Sequence, residues 1–303
     1  MAYTAVPTVN TGDPWSASDH NTYIKDNFAY FKSVTDPLIA GTKPAEGRLT
    51  LETGVPVSTS DQGAKTTLYY TPYIGETIAL YDGSSAWTLI TFAELSLDAS
   101  GYDADSNYDI FCYNNSGTAT LEGVKWTDAA TRATALTRQD GVLVKTGATT
   151  RRFIGTVRTL SDTKLYDQDN ARLIWNMYNR VPRRLFVVNT TGHYYNGSPR
   201  LWNNSAANNS LYFVIGQAQT IMAQAQTTQK AGADGYYANT FIYSDTSDRV
   251  TDDIRNYNNQ YIAASGVGVT TFAEGFHYIQ VYEYGNHASS NFSKFWMSAI
   301  VEG

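Results

Sequence analysis

The sequence predicts a mainly β protein. Charged side chains make up 17% of its 303 residues, below the quarter that is usual for soluble domains, whereas aromatic residues reach 14% and include 23 tyrosines. The chain also contains 37 threonines and 21 asparagines. Threonine and tyrosine favour pleated, half-buried strands, and asparagine favours the turns that connect them. Disorder is not expected, because disordered chains are poor in aromatic residues and rich in charge.

The length corresponds to about two ordinary domains, and the local patterns divide the chain into three parts. We predict a short N-terminal helix within residues 1–40, a β-rich body with a short closing helix over residues 41–182, and a C-terminal jelly-roll-like β-sandwich over residues 183–303. Both bodies are expected to be β-sandwiches. The chain is also expected to form a homotrimer, because a tyrosine-rich, charge-poor surface favours burial against other copies.

The N-terminal helix is predicted from a cap and a hydrophobic seam. Ser16 is a good N-cap, and Pro37 ends the pattern. The seam alternates spacings of four and three residues and consists of Ala17, Asn21, Ile24, Phe28, Phe31, Thr35 and Leu38. A helix this short needs packing to persist. We therefore expect it to contact a second protein or other copies of the chain through Trp15, Asp19, His20, Tyr23, Ile24, Phe28 and Phe31.

Turn signals and apolar runs predict the strands of both bodies. Residues 77–81 and 86–90 flank Asp82-Gly83, a dipeptide typical of tight hairpins. Residues 218–226 alternate between small or apolar and polar side chains, as a half-buried strand does. Further strands are predicted at residues 48–52, 108–113, 141–144, 153–157, 185–189, 211–216, 236–243, 277–284 and 292–301.

The closing helix of the first body is predicted near residues 170–181. Apolar residues repeat there at helical spacing, Asn170 can cap the helix and Pro182 stops the pattern. The repeating residues are Ile174, Met177, Tyr178 and Val181.

Positive charge is concentrated in the middle of a chain whose net charge is −6. Residues 121–185 hold 12 basic and 6 acidic side chains. A nucleic-acid surface would explain this, but no motif there interleaves basic residues with base-stacking aromatic residues. We expect these arginines to pair with acidic neighbours in the same assembly, and we predict no nucleic-acid partner. The arginines are Arg151, Arg152, Arg158, Arg172, Arg180, Arg183 and Arg184.

Patterns typical of enzymes, metal sites and membrane segments are weak in this sequence. A calcium loop would need glycine and glutamate where Tyr108 and Asn114 follow Asp103. No glycine-rich phosphate loop precedes a helix, and the lone Cys112 fits a core position on a strand. No run of 18 apolar residues and no secretory signal is present, so membrane insertion is not expected. We predict no catalytic residue, no metal and no cofactor.

Two loop-like stretches combine aromatic rings with asparagine. Rings can stack on the C–H face of a sugar while amides bond its hydroxyls, so these stretches are candidates for glycan binding. The alternative is that some rings belong to the core and others to a subunit interface, where tyrosine and tryptophan are also enriched. The candidate residues are Tyr194, Tyr195, Trp202, Asn203, Tyr236 and Tyr237.

Several phrases of the sequence resemble tail-fibre and other appendage proteins of tailed bacteriophages. They are NTGDPWSASDHNTYIKDNF at residues 10–28, LYYTPY and IALYDG within residues 68–83, QDGVLVK at residues 139–145 and WNMYNRVPR at residues 175–183. The resemblance implies a virion protein with an N-terminal anchor, a β-structured body and a distal β-sandwich in a homotrimer. Its partners would be other virion proteins at the N-terminus and a host-surface glycan at the C-terminal part.

The resemblance leaves the position in the particle open. A tail fibre or receptor-binding appendage is the first interpretation, and a capsid decoration or head-fibre protein is the alternative. A surface-polysaccharide depolymerase comes third. Such enzymes usually resemble long β-helices with carboxylate pairs in a groove, and this chain is too short and lacks a fixed repeat.

Overall fold

A computed structural model describes residues 16, 18, 20–31, 41–205, 209–245 and 248–303. Within these ranges the longest helical segment covers residues 20–31 and opens with the π-helix His20–Lys25. None of the described helices has the length and hydropathy that a lipid bilayer requires of a spanning segment. Strands account for most of the described chain, so the prediction of a mainly β protein is confirmed.

The strands of the first body form one large sheet and several smaller ones. In chain order they are β1 (Gly47–Thr50), β2 (Gln62–Lys65), β3 (Thr67–Pro72), β4 (Thr77–Tyr81), β5 (Trp87–Thr91), β6 (Leu95–Asp98), β7 (Asn107–Asn115), β8 (Thr118–Lys125), β9 (Leu136–Gln139), β10 (Val142–Lys145), β11 (Ala148–Arg158), β12 (Leu165–Gln168), β13 (Ala171–Arg172) and β14 (Ile174–Asn176). The large sheet has the order β8-β7-β11-β10-β9, and β14 pairs with the free side of part of β11.

The core of the first body lies between this sheet and the two small antiparallel sheets β1-β3-β6 and β4-β5. Leu49, Leu68, Ile78 and Ile110 are among its fully buried members. Cys112 is buried there too, which confirms its predicted core position. Burial raises the pKa of this thiol to about 12, so the side chain stays neutral.

The hairpin predicted around Asp82-Gly83 is confirmed. β4 and β5 pair in register from Thr77 with Thr91 to Tyr81 with Trp87. Gly83 has a φ of 87°, a left-handed conformation that glycine adopts without a Cβ penalty. One carboxylate oxygen of Asp82 accepts hydrogen bonds from the three backbone N–H groups of residues 84–86, and these bonds lower the pKa of Asp82 to about 2. The turn is therefore specified locally.

The predicted closing helix is wrong, because the segment is extended and pairs with the sheet. Residues 171–176 are buried on both faces, and β14 pairs with β11 from Ile174 with Val157 to Asn176 with Gly155. The Asn176 side chain accepts from the Leu49 N–H at 2.6 Å and donates to the Leu49 carbonyl at 3.2 Å, as a neighbouring strand would. Pairing between distant segments has overridden the helical spacing.

The second body has the strand order of a jelly roll. Its strands are β15 (Pro182–Asn189), β16 (His193–Tyr194), β17 (Gly197–Leu201), β18 (Ser210–Ile215), β19 (Gln219–Lys230), β20 (Ala238–Ser244), β21 (Asp248–Arg249), β22 (Ile254–Asn256), β23 (Ile262–Phe272), β24 (Gly275–Gly285) and β25 (Asn291–Glu302). One sheet has the order β15-β25-β19-β23, and in the other β18, β24, β20 and β22 are neighbours in that order. Leaving aside β16, β17 and β21, these are the two four-stranded sheets of a double Greek key.

The two bodies share a sheet and part of a core. β2, β12 and β13 continue the jelly-roll sheet, because β13 pairs in parallel with β18 through Ala171 with Tyr212 and Arg172 with Phe213. Phe153 and Trp175 of the first body belong to the hydrophobic cluster of the second. No break in packing separates these described regions.

The arginines of the basic segment act within the chain. Arg151 pairs with Glu122 at 2.7 Å, and Arg184 pairs with Asp169 at 2.5 Å. The buried Arg152 instead donates to backbone carbonyls of Lys43, Pro44 and Ala79 at 2.7–2.9 Å. These arginines therefore link separate segments of the chain through ion pairs and hydrogen bonds.

Candidate functional site

The distal end of the jelly roll carries four neighbouring loops. The first is the connection from β15 to β18, residues 190–209, which contains the short strands β16 and β17 and of which 206–208 are not described. The others are residues 231–237, 257–261 and 286–290. Antiparallel pairing places them together: Ala238 and Gly197 both pair with Gly285. Loops at one end of a sandwich can vary without disturbing the core, which makes them a usual place for binding sites.

The first body covers the opposite end of the jelly roll. Arg132 donates to the Gly216 carbonyl at 2.7 Å and pairs with Glu274 at 2.8 Å. The Phe276 N–H donates to the Ala129 carbonyl at 2.9 Å. The distal end consequently faces away from the first body.

Tyr194 and Tyr195 lie side by side at the distal end but differ in accessibility. Tyr194 is 66% exposed. Tyr195 is half-buried, donates its hydroxyl to the Ser198 carbonyl at 2.6 Å, and lies under the Arg200 guanidinium at 3.6 Å from the ring centroid. Tyr194 can therefore stack on a ligand, whereas one face of Tyr195 is occupied.

Tyr236 and Tyr237 belong to a larger aromatic group at the same end. The Tyr236 ring lies 4.6 Å from that of His287, and Tyr237 packs edge-on against Tyr284, to which its hydroxyl is hydrogen-bonded. This hydrogen bond raises the pKa of Tyr237 above its ordinary value. Tyr236 is exposed, and Tyr237 is half-buried.

Sequence reasoning missed Tyr257 and Tyr261, which extend this group. Both rings are exposed, and Tyr257 lies 6.2 Å from Tyr237. Arg255 donates to the Tyr257 hydroxyl at 2.8 Å. A signal was available, because residues 256–261 read NYNNQY and repeat the aromatic and amide composition of the other loops.

Trp202 is a core residue, so its predicted role in stacking on a glycan is wrong. It has no exposed surface, and its ring lies 4.9 Å from Phe295 and 5.8 Å from Phe292. The 3-10 turn Trp202–Asn204 directs the indole into the sandwich, and Asn209 holds the turn by donating to the Trp202 carbonyl at 2.8 Å. Asn203 remains exposed, with a left-handed φ of 50°.

Glu283 anchors the loop that carries Tyr194 and Tyr195. Its side chain is fully buried and accepts from Arg200 Nε at 2.7 Å and from the Asn203 N–H at 3.2 Å. His193 Nε2 also bonds it. Because the Glu283 carboxylate has an ionic partner and hydrogen-bond donors, it can be buried. These bonds hold in place the loop that carries the exposed rings.

The residues predicted for the N-terminal contact are described only in part. Trp15 and Asp19 lie outside the described residues, as do the side chains of His20 and Tyr23. Phe28 is 72% exposed and Phe31 is 54% exposed, whereas Ile24 is half-buried. The exposed parts of these two rings lie three residues apart on a helical segment and are apolar.

The described residues contain no group of three or more His, Cys, Asp or Glu side chains that could hold a metal ion. The distal end instead presents aromatic rings and amide side chains. Exposed rings can stack on the C–H face of a sugar, and neighbouring asparagines can bond its hydroxyls.

No protein-family model matches this chain, and no curated protein matches it. Solved structures give weak similarities. The infectious bursal disease virus VP2 subviral particle has 11% identity and a TM-score of 0.30, over 89% of this chain and 78% of that one. The exo-β-1,3-galactanase of Phanerochaete chrysosporium with galactose has 9% identity and a TM-score of 0.19, over 83% and 68%. The Cry4Aa toxin of Bacillus thuringiensis has 8% identity and a TM-score of 0.23, over 82% and 50%. Similarities this low carry no argument about function.

Proposed function

We propose that this chain is a non-enzymatic structural protein of a phage particle, a trimeric tail-fibre or receptor-binding appendage. It attaches to the virion through residues 1–40 and presents the distal end of its jelly roll to the host surface. The observation that carries the proposal is the position of exposed Tyr194, Tyr236, Tyr257 and Tyr261 at the end opposite the first body. The resemblance of the N-terminal and middle phrases to phage appendages supports the same assignment.

The ligand we propose is an uncharged or weakly charged glycan. The arginines near the rings are already paired, Arg200 with Glu283 and Arg255 with Asp253. Arg249 shares Asp253 with Arg255, and Lys230 lies 6.0 Å from the Tyr261 ring, so a modest positive charge remains near the rings and suits a neutral or weakly acidic glycan. Weak binding at one site would be strengthened by several copies acting together.

Replacing Tyr194 or Tyr236 by alanine is expected to weaken glycan binding about two- to tenfold per ring, as expected for loss of about 0.5–1.5 kcal/mol of aromatic contact. Both rings are exposed, so the melting temperature should change little. Binding of the purified protein to arrays of neutral and acidic bacterial glycans measures the effect. Tyr73→Ala, which removes an exposed ring of the first body, is the matched control. Unchanged binding in both distal variants would contradict the glycan site.

Deletion of residues 1–40 is expected to abolish incorporation into particles while leaving the two β bodies folded. The described hydrophobic clusters draw their buried residues from position 45 onward, so we expect the two bodies to fold without the deleted segment. Circular dichroism measures folding, and immunoblotting of purified particles measures incorporation. A folded, truncated protein that still assembles onto virions would refute the anchor.

The alternative position is the capsid, as a decoration or head-fibre protein. An exposed apolar surface at Phe28 and Phe31 fits a capsid partner as well as a tail partner. Electron microscopy of intact particles with an antibody against the jelly roll distinguishes the two positions.

A further inference from the structure

The outer face of the sheet β15-β25-β19-β23 is exposed in the single chain. Cross-strand pairing arranges its side chains in rows, since Gln224 pairs with both Ser298 and Val267, and Gln226 pairs with both Trp296 and Ser265. We define the outer face by the outward residues of its three central rows, which are Val188, Trp296, Gln226 and Ser265, then Phe186, Ser298, Gln224 and Val267, then Arg184, Ile300, Met222 and Val269.

Strand β23 reverses the alternation expected of a half-buried strand. Its valines point outward, with Val267 58% and Val269 62% exposed, while its inward positions include Gly266 and Gly268. A Cβ on Gly268 would lie 1.8 Å from the Val250 carbonyl oxygen, so the inner side has no room for larger residues. Large apolar side chains on the outer side indicate that a second layer covers this side as well.

The outer face carries one charged side chain, Arg184 on the edge strand β15, which pairs with Asp169, although the whole chain has a net charge of −6. The other outward charges of β25, Lys294 and Glu302, lie in the two adjoining rows. Depletion of charge is the compositional signature of the buried centre of an interface.

The polar groups of the outer face bond to one another across the strands. Gln224 donates to Ser298 at 3.1 Å, Gln226 donates to Ser265 at 3.2 Å, and Trp296 donates to the Gln226 side-chain oxygen at 3.0 Å. Groups that already have partners lose less on leaving water. The face can therefore be covered by an apolar surface that offers no complementary hydrogen bonds.

The size of the outer face suits a contact between proteins. Four strands about 4.8 Å apart and three rows about 6.8 Å apart give a flat area of about 400 Å². The largest apolar patch of an ordinary monomer measures about 300–600 Å², and a stable interface takes about 800 Å² from each partner. The contact would extend onto the adjoining row, which contains Thr228, Ala263 and Lys294.

We propose that the outer face is the surface on which copies of this chain pack against one another. Copies of a chain with net negative charge repel each other least where the facing side chains are uncharged, as they are in the central rows of β25, β19 and β23, whereas a foreign partner is normally steered by complementary charge. The inference deepens the proposed function, which requires several copies, by naming where those copies meet. It involves Val, Met, Ile and Trp side chains and leaves the tyrosines of the distal end free for a ligand.

Lysine at Val267 or at Val269 is expected to raise the dissociation constant of the assembly at least about 100-fold, because it brings like charges together in every copy. Light scattering of the full chain from 1 to 50 μM (on the order of the concentrations at which stable assemblies persist) measures the mass. Wild type should give a multiple of the chain mass, and both variants should give the mass of one chain.

Ile74→Lys is the matched control, because it adds the same charge at an exposed apolar position of the first body. It should keep the wild-type mass. Near-ultraviolet circular dichroism checks folding, and Met222→Gln provides a milder change on the same face. A wild-type monomer, or lysine variants that fold and keep the wild-type mass, would overturn the inference. Glycan binding at Tyr194 is measured separately, so a failure of the proposed function can be distinguished from a failure of this inference.

Discussion

Replacing Trp202 by alanine is expected to lower the free energy of unfolding by about 3–5 kcal/mol. The indole has no exposed surface and packs against Phe292 and Phe295, so its removal leaves a cavity in the hydrophobic core of the jelly roll. Urea unfolding followed by circular dichroism at equilibrium measures the change.

The control for Trp202 is Tyr194→Ala, in the same loop. Tyr194 is largely exposed, so its removal should change the stability by less than about 0.5 kcal/mol. The pair separates the two roles that sequence composition cannot distinguish. A Trp202 variant as stable as the Tyr194 variant would contradict the core position.

Replacing Arg152 by methionine is expected to destabilise the first body by about 3–5 kcal/mol. The aliphatic part of the side chain is kept, but three backbone carbonyls, those of Lys43, Pro44 and Ala79, lose their donor. Arg152 also lies under Tyr178, at 4.5 Å from the ring centroid. The midpoint of urea unfolding, compared at constant slope, reports the loss.

Arg151→Met is the matched control for Arg152, one residue along the same strand. The Arg151 side chain is partly exposed and pairs with the partly exposed Glu122, so its loss should cost no more than about 1 kcal/mol. Equal effects of the two substitutions would mean that charge, and not the bonds to buried carbonyls, determines the stability.

Local signals in the sequence were sufficient for many of the strands. The hairpin at Asp82-Gly83 was predictable because carboxylate, glycine and flanking strands all lie within a few residues. The alternating pattern near residues 218–226 likewise predicted β19. In both cases the pattern depends on neighbours along the chain, and the structure confirms it.

Features that depend on distant segments were not predictable in the same way. The spacing of Ile174 and Met177 fits a helix, but pairing of β14 with β11 decides the conformation. Strand β23 was missed because Gly266 and Gly268 face the core where apolar residues are usual. The jelly-roll order itself results from pairings such as β15 with β25, more than a hundred residues apart.

The candidate site was predictable in composition but not in geometry. Asparagine and tyrosine marked the loops near Tyr194 and Tyr236, and the structure brings these loops together at one end. Nothing in the local sequence indicated that Trp202 turns inward while Tyr194 stays outside. That difference arises from the bonds of Asn209, at the end of the same loop, and of Glu283, which lies on the distant strand β24.

The sheet that runs through both bodies has a mechanical consequence. β13 lies parallel to β18, and β18 pairs with β24, whose far end carries the distal loops. A ligand bound to those loops would pull along the strand direction. The backbone hydrogen bonds between β13 and β18 and between β18 and β24 would then be loaded in shear, so that they must break together and not one after another. Arg132 of the first body resists the same force, through its hydrogen bond to the Gly216 carbonyl and its ion pair with Glu274 in the second body. We expect the two bodies to transmit tension as one stiff rod, with no elastic linker between the tethered end and the first body.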